Sequence, residues 1–134
     1  MSEGPGVMQL ASILYAIATA AIVGFQVALA LGAPWGDRAM GGRYPGRFPP
    51  PMRVAAAVQA VVLALLALVV LDAGGVLSLG WVAALPWLAW VPVVVSAVSL
   101  VMNAASRSPA ERRTWVPVAL VLLATSLIVA LSAG

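Results

Sequence analysis

The sequence predicts an all-α integral membrane protein, a four-transmembrane-helix bundle with both termini outside. Three observations carry that reading. The chain of 134 residues is 63% hydrophobic and only 8% charged, whereas a soluble domain carries about 25% charged residues, so it lacks the polar surface to cover itself in water. Four segments are each close to the roughly 20 apolar residues that cross about 30 Å of hydrocarbon. All seven cations are arginines, and they fall in only two of the connecting segments.

The elements follow in order within a single domain, 1–134. Span one covers about residues 8–31, with no charge between Glu3 and Asp37. It lacks the basic leader of a signal peptide, so it reads as a retained span. Span two covers about 52–71, span three about 81–102 and span four about 110–131. In span four, "SPAERR" sets Ser108 as N-cap, Pro109 at N1 and Glu111 at N3, a capping box that starts the helix before it enters the bilayer. Pro117 inside that span and Pro92 inside span three predict kinks. Pro86 reads either as an interior kink or as the first residue of a shorter span three.

Arg38, Arg43, Arg47 and Arg53 lie in the first connection, and Arg107, Arg112 and Arg113 lie in the third. The positive-inside rule then makes loops one and three cytoplasmic. Trp35 and Trp115 fall at that side, while Trp81, Trp87 and Trp90 gather toward the outer end of span three, as interfacial indole belts do. Asp72, at the outer end of span two before Gly74 and Gly75, reads as solvated.

The first connection, "LGAPWGDRAMGGRYPGRFPPPMR" from Leu31 to Arg53, holds five of the 12 glycines, five of the 10 prolines and four of the seven arginines. Gly32 can end helix one at positive φ, and Pro34 stops its continuation. Gly41-Gly42 and Pro45-Gly46 are turn formers, and Pro49-Pro50-Pro51 reads as a polyproline II strut into span two. The expected product is an ordered loop over 32–51 in which Asp37 orients a neighbouring arginine. Trp35, Asp37, Arg38, Arg43, Tyr44, Arg47 and Arg53 are its candidate binding residues, because arginine matches phosphate bidentately. The alternative is that the arginines only set topology and touch anionic lipid nonspecifically.

Polar groups within the spans are few. Gln26, Gln59 and Asn103 lie at one depth, beneath the loop, and Ser96, Ser99 and Asn103 share a face of span three. They read either as amides bonded across helices or as the lining of a cavity open to the cytoplasm. Small residues recur every four positions at Ala16, Ala20, Gly24, Ala28 and Gly32, and again at Ala56, Ala60 and Ala64. These stripes serve internal packing or, alternatively, dimerisation.

The run "GAPWG", then "GG" and "PG", then "PPMR" resembles a group of small, uncharacterised bacterial four-span membrane proteins. That resemblance implies a multi-pass protein of the bacterial plasma (inner) membrane and carries no activity with it. Small multidrug-resistance transporters share the length and span count, but depend on a glutamate inside the first span, which is missing here. Gly41-Gly42-Arg43-Tyr44 is similar to a segment of the fluoride channels, whose Phe-rich third span is also missing.

With neither Cys nor His, thiol chemistry, disulfides, His-based catalysis and the usual zinc, copper or haem sites are excluded, and no cofactor or metal is expected. No ionisable group at mid-depth argues against proton coupling. The expected function is therefore non-catalytic: an accessory subunit, or a binder of lipid or a small anionic ligand at the cytoplasmic face. A small dimeric transporter or channel using Gln26, Gln59 and Asn103 is the alternative. A lipid-modifying enzyme built on Asp37 ranks third, since one carboxylate offers little acid–base machinery. The expected partners are the phospholipid membrane and a homodimer mate or larger membrane complex, and not nucleic acid.

Overall fold

The computed structural model describes residues 6–133; Glu3 and the expected placement of the N-terminus fall outside the described residues. Most of those residues are helical, and there is no strand among them. The helices are α1 (Val7–Ala30), α2 (Pro50–Ala73), the single turn α3 (Trp81–Ala84), α4 (Val91–Ala104) and α5 (Pro109–Ala133). A 3₁₀ stretch, Pro86–Trp90, runs directly into α4. The segments Val7–Ala30, Pro50–Ala73, Pro86–Ala104 and Pro109–Ala133 are each long and apolar enough to cross a membrane.

α1 is the central helix. It packs most extensively on α2 and also on α5, α5 packs in turn on α4, and α2 touches both α4 and α5. Two apolar clusters hold these helices together. One gathers Ala11, Tyr15, Val70, Ala73, Ala89, Leu122, Val129 and Ala130. The other, at the opposite end, consists of Leu29, Ala39, Phe48 and Ala56. All seven arginines belong to that second end, where α1 and α4 finish and α2 and α5 begin.

Helix limits correct the expected polyproline strut and place the other prolines. Only Pro49 is extended (φ −64°, ψ 157°), while Pro50 and Pro51 form the first turn of α2. A proline in a first turn loses nothing by lacking an N–H, and the Pro49 carbonyl accepts from the amides of both Met52 (2.9 Å) and Arg53 (3.1 Å). The strut is thus one residue long and the rest is helix. Pro86 opens the third long segment, and α3 is separated from it by Leu85 in a non-helical conformation. Pro92 likewise sits in the first turn of α4, where it displaces no helical bond. α5 continues through Pro117 without interruption.

The small-residue stripes divide. Ala56 and Ala60 of α2 are buried in the bundle, but Ala20 and Gly24 of α1 are exposed, with open space around Gly24. Asp72 is engaged rather than free. Its carboxylate accepts from the backbone amides of Leu79 (2.8 Å), Gly80 (3.2 Å) and Val82 (2.9 Å), closing the turn that starts α3.

Candidate functional site

The site is built from the connection between α1 and α2. At its start, α1 ends in a Schellman motif: Gly32 (φ +100°) donates to the Leu29 carbonyl at 3.1 Å, and Ala33 donates to Ala28 at 2.9 Å. A short turn over Gly36–Arg38 follows, then Ala39 in extended conformation, then a second turn over Met40–Gly42. Gly36 closes the loop on itself by donating to the Gly46 carbonyl at 2.9 Å. A Cβ added at Gly36 would lie 1.8 Å from the Tyr44 carbonyl oxygen, so only glycine fits that crossing. Phe48 then plugs inward, 3% exposed, against Leu29, Ala39 and Ala56, with Tyr44 edge-on to it at 5.9 Å.

This closed loop is bolted to the start of α5. Ser108 Oγ donates to the Asp37 carbonyl at 2.5 Å and accepts from the Glu111 amide at 3.1 Å. The expected capping box is therefore half formed. Its second half is redirected, because the Glu111 carboxylate accepts from the Gly41 amide at 3.4 Å instead of from its own N-cap. Trp115 Nε1 donates to the Arg38 carbonyl at 2.8 Å. Phe25 of α1 joins the two tryptophans of this end, stacked on Trp35 (6.2 Å, 10°) and edge-on to Trp115 (4.7 Å, 62°).

Three of the seven arginines are dressed by backbone carbonyls. Arg53, half-buried, donates from Nε to the Ala30 carbonyl at 2.8 Å. Arg112 donates to Ser106 O, and Arg113 reaches the Pro109 carbonyl at 3.4 Å. The Arg47 guanidinium lies against Gly32, while Arg38, Arg43 and Arg47 are exposed. No arginine–carboxylate ion pair is present among the described residues. Asp37 contributes its backbone carbonyl to the α5 contact rather than orienting an arginine.

The three amides expected beneath the loop do not meet. Asn103 Nδ2 donates to Ser99 of its own helix, to the carbonyl at 2.7 Å and to Oγ at 3.2 Å. Gln26 is half-buried, and Gln59 is exposed on α2, one residue before buried Ala60. No hydrogen bond joins Gln26, Gln59 and Asn103 among the described residues. Equal depth along a helix does not fix rotation about it, and each residue turns a helix by 100°. The two grooves on the surface here are shallow. One is lined by Ala97, Val98, Val101 and Met102, the other by Ala30, Pro50, Arg53, Val54 and Ala57.

A buried polar stripe lies elsewhere, and sequence reading did not single it out. Ser12, Tyr15 and Thr19 are buried on α1, Tyr15 beside Ser96 of α4 and Ser12 against Gly74, with Thr125 and Ser126 of α5 also buried. Most of these hydroxyls return their protons to their own helices: Ser12 to Gln9 O, Ser96 to Pro92 O, Thr125 to Val121 O and Ser126 to Leu123 O. That is the usual economy of hydroxyls in helices; the buried Thr19 Oγ1 is the exception, with no hydrogen-bond partner. The spacing of Ser12, Tyr15 and Thr19 (i, i+3, i+7) was the available signal. No family model, curated protein or solved structure matches the chain.

Proposed function

We propose that this is a non-catalytic, multi-pass membrane protein whose basic end lies at the cytoplasmic face and binds anionic lipid headgroups there. The observation that carries the reading is the folded loop itself. Setting topology needs only positive charge near a span. Here a closed backbone ring, a buried Phe48 and three hydrogen bonds to α5 fix the backbone from which the exposed Arg38, Arg43 and Arg47 extend. Ordering a segment this way costs conformational entropy, which arginines carried on a fixed backbone turn to use in recognition. The positive-inside rule supports the orientation, with loops one and three inside and the termini outside. The separation of Gln59, Gln26 and Asn103 weighs against the transporter reading.

Native mass spectrometry of the protein extracted gently from its own membrane tests this. The wild type is expected to carry stoichiometric anionic lipid. Replacing Arg38, Arg43 and Arg47 together by glutamine is expected to remove it while leaving membrane insertion intact. Unchanged lipid in the triple variant overturns the proposal. A co-extracted protein seated on the loop in place of lipid marks an accessory subunit.

A further inference from the structure

The groove between α1 and α2 at the basic end has a composition that the loop as a whole does not. Its walls are Ala30, Pro50, Val54 and Ala57, and its single charge is Arg53. Arg53 is pinned by its Nε hydrogen bond to Ala30, in the last turn of α1. Carbonyls there lack intrahelical partners and favour a cation. The pin uses one of the guanidinium's five N–H groups. The other four have no acceptor among the described residues. The exposed Arg47 side chain lies at the same helix end, since a Cβ on Gly32, two residues beyond Ala30, would come within 2.8 Å of its guanidinium. Two guanidinium groups thus stand at this end of α1, that of Arg53 in the wall of a shallow, mostly apolar groove.

Resting on the reading that this end faces an anionic leaflet, we propose that the groove is a specific site for one anionic phospholipid. Its phosphodiester oxygens accept from the free N–H groups of Arg53 and from Arg47, and an acyl chain lies along Val54 and Ala57. Arginine's planar fork suits a phosphodiester, and the apolar wall behind it suits hydrocarbon. A soluble phosphate would gain nothing from Val54 and Ala57, so the charge and the wall together select lipid. Neither a half-buried position for Arg53 nor an Nε pin is required to set topology.

The test places the full chain in nanodiscs of phosphatidylglycerol and phosphatidylcholine in equal parts and counts retained lipid by native mass spectrometry. One phosphatidylglycerol per chain is expected for the wild type. Arg53→Gln and Val54→Trp are each expected to cut its retention about tenfold, the effect of losing one charge-assisted hydrogen bond or an equivalent contact. Val54→Trp leaves every charge in place. Arg53→Lys, which keeps the charge without the fork, is expected to fall between Arg53→Gln and wild type and guards against misfolding of the glutamine variant. Arg113→Gln is expected to change retention less than about twofold. Retention lost in Arg53→Gln but kept in Val54→Trp overturns the groove. Equal loss in Arg113→Gln and Arg53→Gln overturns the site in favour of diffuse attraction and leaves the broader lipid-facing reading standing. Wild-type protein without preference for phosphatidylglycerol overturns both.

Discussion

The connections on either side of α2, residues 31–49 and 74–90, meet the same problem with different means. Each follows a helix that ends in a Schellman motif, at Gly32 (φ +100°) and at Gly75 (φ +78°), with Ala33 bonded back to Ala28 and Val76 back to Leu71. Beyond that point they diverge. The second connection is tied down locally: Asp72 caps a turn seven to ten residues away, and Trp81, Trp87 and Trp90 remain exposed. The first is tied to α5, through bonds that span 70 to 77 residues of sequence. The lesson is that a connection can be ordered cheaply by a nearby carboxylate. The long-range docking of 31–49 therefore calls for a reason beyond neat chain reversal, and the three arginines on that segment supply one.

Substitutions can break this contrast, beginning with the largest expected effect. Gly36→Ala pushes a methyl group into the Tyr44 carbonyl, 1.8 Å away. It is expected to cost about 3 kcal/mol, the upper end of overpacking penalties, seen as a lower unfolding midpoint with loss of order across 36–46. Ser108→Ala removes both the N-cap of α5 and the bond to Asp37, at about 2 kcal/mol. Hydrogen exchange should then quicken in the first turn of α5 and in 36–42 together; quickening in α5 alone contradicts the docking. Asp72→Ala releases three amides and is expected to cost about 1 kcal/mol. Its exchange signature should stay within 79–82 and leave 36–48 unchanged.

The smallest effect sharpens the functional side of the same comparison. Gln59 is exposed, with no bond to Gln26 or Asn103. Gln59→Leu is therefore expected to leave unfolding within about 0.5 kcal/mol of wild type, as for substitutions outside any bonded network. A large loss of stability in that variant would show that the amides do converge.

Much of this was legible from residue types. Long uncharged runs marked the four apolar helices, and Ser108-Pro109 marked the start of α5, because caps and span lengths are local properties. Gly32 was legible as a helix end for the same reason. Pro49-Pro50-Pro51 misled, since a polyproline strut and a helix first turn accept the same residues and only the Pro49 carbonyl's bonds to Met52 and Arg53 decide between them. The rotation of each helix was the harder matter. Helices that are apolar all round carry little record of which face turns inward, so Gln59 and the stripe of Ser12, Tyr15 and Thr19 were opaque. So was Gly36, whose necessity comes from a carbonyl eight residues further on.

Hydrogen exchange of the reconstituted full chain, resolved to single amides in residues 36–48, tests the central claim that the first connection is a folded part of the bundle. Slow exchange is expected at Gly36, Ala39 and Gly42, whose amides are bonded to Gly46, Gly36 and Ala39, with protection matching the first turn of α5. Exchange at those three amides as fast as in an unstructured peptide would contradict it and leave the arginines as a charged tether.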